Sequence, residues 1–218
     1  MIATTEFELP DAPTIHRYEF DELMVALESA NGSADVFRYS LDEYHELIDR
    51  QILIDGEKVE LLDGYLVNSM SRNPPHDAAV DLFRAAFASL IPAGYLLRSQ
   101  QAITLAESEP EPDFAVVRGN PRTFSKRHPG VGDISLVVEV SDSSLVMDRD
   151  FKQIVYARNR LTEYWIINIV EGCVEVYKNP QAKDNKYIDC KIYTLDQSVP
   201  FSIDGKLIAN IPVQHLLP

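Results

Sequence analysis

The chain has 218 residues, 45% apolar and 25% charged, and a formal net charge of −14 at pH 7. That length can bury a full core in one domain with additions, and the composition is that of an ordinary globular protein. No run approaches the roughly 18 apolar residues that cross a bilayer, so no membrane partner is expected. The acidic balance opposes a protein that coats DNA, because phosphate binding calls for lysine and arginine. The charge is uneven: residues 1–63 hold 16 acidic and 4 basic side chains, whereas residues 64–218 hold 18 and 16. The second part is near neutral and leaves room for a locally positive groove. Cys173 and Cys190 make no CxxC pair, and MIATTEFELPD has neither a basic nor an apolar leader region. A reducing cytoplasmic setting is therefore expected.

Residues 1–37 read as an acidic extension, in which FDELMVALES has helical spacing and NGSAD breaks it. The remainder, 38–218, reads as one domain. Ser40-Leu41-Asp42-Glu43 is a capping box that opens a helix to about Ile52. KVELL alternates into the turn signal Asp63-Gly64, and YLVNSM completes a hairpin. Pro74-Pro75 opens a second helix, whose Ala79, Leu82, Phe83, Ala86, Phe87 and Leu90 form an apolar stripe. Gly94 ends it, and YLLRSQQAITL predicts a strand. A second strand, DFAVV at 113–117, follows the proline-broken ESEPEP. The polar loop RGNPRTFSKRHPGVGD leads into SLVVEV at 135–140, an apolar run typical of a buried central strand. A helix from about Asp148 to Arg160 precedes the strand EYWIINIV. Glu171-Gly172 then turns the chain into CVEVYK, a further strand is expected over 187–195, and the tail from Val199 predicts short strands and a helical turn. This order predicts an α/β fold, with a mixed sheet core flanked by helices and extended by hairpins.

Glu139 is the most informative residue. It lies inside LVVEV, where an uncompensated buried carboxylate costs several kcal/mol. Asp113, at the head of another apolar strand, poses the same problem. Two acids on neighbouring strands can point the same way and bind a divalent cation through oxygen. On the next helix Asp148 and Lys152 are four residues apart, hence on one face, and Lys152 can reach back over the sheet. Such a trio suits phosphodiester hydrolysis. A plainer reading also fits, in which Lys152 and Glu139 form a structural buried ion pair. Asp148 is expected to cap the helix rather than to bind metal. Tyr156, Tyr164 and Trp165 are expected as core aromatics. Arg118, Arg122, Lys126 and Arg127 form the best basic patch, read as phosphate contacts or as solvated surface.

The ordered motifs VELLDGYLVNSMSRNPPH, PDFAVV, LVVEVSDSS and DRDFKQIVYARNRLTEYWIIN resemble the Uma2 family of restriction-endonuclease-like proteins over roughly residues 38 to 217. The resemblance implies a restriction-endonuclease-like fold with a PD-(D/E)xK site and Mg²⁺- or Mn²⁺-dependent cleavage of DNA. By this likeness Pro112-Asp113 is the PD element, Glu139 the second acid, and Asp113 and Glu139 the metal ligands. Ser141 stands where the usual ExK motif has lysine, and the family's displaced lysine on the following helix matches Lys152. Glu60 matches the acidic residue before the family's glycine turn, and His76 the family's histidine at a helix start. A homodimer follows by analogy with enzymes that cut both strands. The competing function is a non-catalytic binding or regulatory module on the same fold. It is suggested by the acidity and by the lack of a DNA-reading element such as a helix-turn-helix.

Overall fold

The computed structural model describes residues 15–29, 36–53, 58–70 and 72–218. The chain forms two compact units, one of Met1–Met70 with Ala106–Pro110 and one of Ser71–Leu105 with Glu111–Pro218.

The first unit holds β1 (Arg17–Tyr18), α1 (Phe20–Ser29), α2 (Leu41–Asp49), β2 (Val59–Leu62) and β3 (Tyr65–Asn68). The capping box at α2 is formed in both directions. Glu43 N–H donates to Ser40 Oγ at 3.2 Å, and Ser40 N–H donates to Glu43 Oε2 at 2.7 Å. The β2–β3 hairpin turns through Asp63 and Gly64 at φ of 52° and 82°, the left-handed pair that matches strand twist. Gly64 is also sterically required, because a Cβ there would lie 3.2 Å from Arg38 Cβ and 3.3 Å from the Tyr39 carbonyl. Tyr39, Tyr44, Leu47, Leu53, Leu61 and Leu66 form the core beneath the hairpin. Part of the segment read as an extension is ordered structure. Arg17–Tyr18 pairs in parallel with β3, and Tyr18, Phe20, Leu23 and Ala26 are buried.

The second unit is built on a six-stranded sheet. Its elements are α3 (Pro74–Phe87), β4 (Tyr95–Ser99), β5 (Phe114–Arg118), β6 (Ile134–Ser141), α4 (Gln153–Arg158), β7 (Glu163–Asn168), β8 (Cys173–Gln181) and β9 (Lys186–Thr194). The strands lie in sequential order β4 to β9. Every pairing is antiparallel except β6 with β7. A parallel pair needs a crossover, and here it is a π-helical turn, Met147–Lys152, running directly into α4. β10 (Ser198–Ile203) and β11 (Lys206–Pro212) form a separate hairpin. The α/β class and mixed sheet match the sequence reading. No described helix is long and apolar enough to cross a membrane.

Two elements differ from expectation. The strand predicted to continue through Leu105 stops at Ser99, because Gln100 adopts φ of 52° and turns the chain out of the sheet. Asp148 does not cap a helix. It is the second residue of the π turn, and its carboxylate accepts from the hydroxyls of Ser141 at 2.7 Å and Ser144 at 2.6 Å.

The apolar stripe of α3 seats the helix on the sheet. Phe83 is fully buried and stacks between Phe87, at 3.9 Å between ring centroids, and Phe114, at 4.3 Å. Phe114 directly follows Asp113, so this stack fixes the start of β5. Replacing Phe83 by alanine removes a complete ring from a packed stack. The expected loss is about 3–5 kcal/mol in urea denaturation, and a loss below about 1 kcal/mol would contradict this packing.

Candidate active site

Four elements of the second unit bring Asp113, Glu139, Lys152 and His76 together. Phe114 pairs with Val138 in antiparallel register, so Asp113, one residue earlier, stands across from Glu139. Each acid is held by the other strand's backbone. The Asp113 N–H donates to Glu139 Oε2 at 3.3 Å, and the Val140 N–H donates to Asp113 Oδ2 at 2.9 Å. The ladder thus ends in a reciprocal clasp of two carboxylates. From the last position of the π turn, Lys152 Nζ donates to Glu139 Oε1 at 3.1 Å and lies 3.9 Å from Asp148 Oδ1. One turn on, the Tyr156 hydroxyl donates to the same Glu139 oxygen at 2.7 Å.

His76 enters from the first turn of α3. Asn73 caps that helix by accepting from the His76 N–H at 3.1 Å, and its amide donates to Asp142 Oδ2 at 2.6 Å. His76 Nε2 reaches Asp113 Oδ2 at 3.2 Å, and Gln100 Nε2 lies 3.4 Å from Asp113 Oδ1. Glu60 belongs to the first unit. It is buried on β2, and its Oε1 accepts from the Ser69 hydroxyl at 3.0 Å.

The electrostatics divide the acids. Burial pushes the Asp113 carboxyl up, but the His76 hydrogen bond and charge, the Val140 N–H and Lys152 outweigh it and hold the group below the usual carboxylate range. Burial dominates at Asp148 and pushes its carboxyl up despite Lys152 and the two serine hydroxyls. The imidazole of His76 is lowered by burial and raised by Asp113 and, after it, by Asp77, for a net upward shift. The cluster is nearly closed to water. The Lys152 and Glu139 side chains are each 4% exposed, and the largest exposures are 8% at Asp113 and 10% at His76.

Of the site residues expected from sequence, Asp113, Glu139, Lys152 and His76 come together, and Tyr156, expected in the core, joins them. Tyr156 is fully buried and does pack edge-on to Tyr164, yet its hydroxyl belongs to the carboxylate cluster. Its position four residues after Lys152 is the signal that it shares the lysine's face. A separate group, Glu171, Cys173 and Glu175, brings three potential metal-ligating atoms within 4.8 Å of one another. The Arg149 guanidinium already donates there, to Glu171 at 3.0 Å and to Glu175 at 2.5 Å, so that charge is partly offset by a side chain. The expected basic patch is partly neutralised in the same way. Arg118 pairs with Asp204 at 2.8 Å and Arg127 with Asp133 at 2.6 Å, while Arg122 and Lys126 are exposed.

The His76–Asp113 contact makes a pH-dependent contribution with a defined sign. Because the His76 pKa is raised, its share is complete below the ordinary imidazole value of about 6.5 and is lost as pH rises through the raised one. Asp113, with a lowered pKa, withdraws its share only as pH falls through that lowered value. An NMR titration of His76 should give a midpoint above the ordinary value. In Asp113→Asn the midpoint should fall, since burial is then opposed only by Asp77. An unchanged midpoint would show that the contact carries no charge coupling.

A family model for Uma2, described as "Putative restriction endonuclease", matches residues 41–205. Among solved structures, the fold is similar to that of "a putative nuclease belonging to DUF820 from Anabaena variabilis". That likeness has a TM-score of 0.57 at 14% identity and covers 81% of this chain and 96% of the other. No curated protein matches the chain significantly. The family match spans most of the sequence, including both strands and both helices that carry the carboxylate cluster, and the chain belongs to the Uma2 family.

Proposed function

We propose that the protein is a metal-dependent endonuclease that hydrolyses DNA phosphodiester bonds through a PD-(D/E)xK-type site, with the lysine carried on the helix after the second acid. The observation that carries this reading is the convergence of Asp113 and Glu139 across one strand pair, with Lys152 Nζ 3.1 Å from Glu139. The donor chemistry fits a hard divalent cation. Both acids offer only oxygen, and Asp113 is held ionised by its surroundings. Asp113 and Glu139 would hold Mg²⁺ or Mn²⁺. A cation bound there lowers the pKa of a water molecule and offsets charge that builds on the phosphorus oxygens.

The chain's own groups supply the rest. Lys152 and Tyr156 converge on Glu139 Oε1 and fix the rotamer of that carboxylate. The Lys152 ammonium is placed to orient an attacking water or to stabilise anionic phosphoryl oxygens. His76 and the Val140 N–H fix Asp113. Arg122 and Lys126 are exposed in the 119–130 loop beside Arg127, which pairs with Asp133, and are suited to contact a DNA backbone. Plasmid and single-stranded DNA incubated with Mg²⁺ or Mn²⁺ should be cut by the wild type. Asp113→Ala and Lys152→Ala should each slow cutting by about 10²-fold or more. Equal rates in all three proteins would reject the proposal.

One observation favours a second reading, a non-catalytic module in which Lys152, Glu139 and Tyr156 form a structural network. All three are almost completely buried, and both donors already satisfy one Glu139 oxygen. Calorimetry separates the two. On the endonuclease reading, Mn²⁺ binding is measurable in the wild type and abolished in Glu139→Ala. On the structural reading no Mn²⁺ binds, and Glu139→Leu is at least as stable as the wild type.

A further inference from the structure

The last strand of the six-stranded sheet carries a sequence that is complementary to itself. β9 pairs with β8 along one edge, and among the described residues no strand lies on the other. It is nine residues long and continuous, a length at which an open edge invites pairing with another chain. Such edges are normally protected by lysines, prolines or inward-facing charges. β9 contains no proline, and its central lysine is preceded, two positions earlier, by an aspartate.

The run from Tyr187 to Tyr193 reads Y-I-D-C-K-I-Y. About Cys190 it is symmetric in side-chain type and antisymmetric in charge. Two copies laid antiparallel with Cys190 on the two-fold axis place Tyr187 against Tyr193, Ile188 against Ile192 and Asp189 against Lys191. Each pair occurs twice, and Cys190 meets its own copy. The isoleucine and acid–base pairs belong to types that stabilise neighbouring strands, β-branched with β-branched and acid with base. The side chains at the five central positions are exposed, whereas Tyr187 and Tyr193, at 6% and 7%, are buried within their own copy. Ile188 is 59% and Ile192 53% accessible, and Asp189, Cys190 and Lys191 are exposed as well. Lys191 stays within its own strand, with Nζ 4.5 Å from the Tyr193 ring centroid, and its ammonium faces no acid among the described ion pairs. Asp189 accepts from the Asn179 amide and retains acceptor capacity for a cation.

We infer that β9 is a self-association surface whose partner is a second copy of this chain, joined by antiparallel edge pairing centred on Cys190. A two-fold arrangement of this kind is isologous and closes at the dimer, so it satisfies the edge without propagating into a fibre. One sheet then runs through both copies. The register is specified by charge, because a slip of two residues in either direction sets Asp189 and Lys191 against apolar or like-charged neighbours. The inference is independent of the nuclease reading, since it concerns the opposite end of the sheet from β4 and needs no cleavage for its test.

Sedimentation equilibrium on the full chain tests it with four proteins: wild type, Lys191→Asp, Asp189→Lys, and the double exchange Asp189→Lys/Lys191→Asp. The wild type should dimerise. Each single reversal opposes like charges twice across the axis and should raise the dissociation constant about tenfold or more. The double exchange restores opposite charges and should return the constant to near the wild-type value. Far-ultraviolet circular dichroism melts on each protein establish that folding is retained. In a Cys173→Ser background a short bismaleimide should join two copies through Cys190. A wild type that stays monomeric at all concentrations would overturn the inference. So would a dimer whose dissociation constant is the same in all four proteins, or a double exchange as weak as the singles.

Discussion

The second unit is organised by the cost of burying charge. Glu139 and Asp113 lie where a sheet is otherwise apolar, and neither could remain there without donors. The antiparallel pairing of β5 with β6 supplies them directly, since each strand offers a main-chain N–H to the other's carboxylate. Lys152, Tyr156 and His76 complete the compensation from two helices. Removing any one donor would leave a buried anion short of a partner, which costs more than the bond itself contributes. The same requirement explains why α3 must be seated firmly. His76 reaches Asp113 only because Phe83 and Phe87 hold the helix against the sheet.

The division between a structural network and a reactive one turns on how much of this compensation is exchangeable. Backbone donors to Asp113 are fixed by the strand ladder, whereas Lys152 and Tyr156 are side-chain donors to one oxygen of Glu139. A cation entering between the acids would compete with the ammonium for that oxygen, and Asp148 offers the lysine a second carboxylate 3.9 Å away. The upward shift of Asp148 belongs to this arrangement. Two serine hydroxyls, rather than solvent, satisfy it.

Much of the fold was legible because the local signals agreed with one another. The capping box at Ser40, the Asp63-Gly64 turn and the stripe on α3 each specify a conformation that neighbouring residues can adopt without conflict. Glu139 was legible by contradiction, as a charge in an apolar run. Less of the site could be read. The Tyr156 hydroxyl and the Ser141 and Ser144 donors have partners defined by the crossover geometry, which no spacing in the chain announces. The early end of β4 depends on a left-handed glutamine, a residue with no strong preference for that conformation. Asp148 looked like a helix cap because the π turn begins before it rather than after it.

That π turn bears on how such a site can be rearranged over time. A π turn holds one residue more than an α turn, and successive helical residues are separated by roughly 100° of rotation. Deleting a single residue from Met147–Lys152 would let the segment relax to α geometry over the same turn, so the side chains that follow would keep their facing. A deletion between Lys152 and Tyr156, in α4, would instead swing the Tyr156 hydroxyl about 100° away from Glu139. The crossover therefore carries one residue of slack ahead of the amine. A lineage could gain or lose that residue without disturbing the two acids or the lysine that faces them.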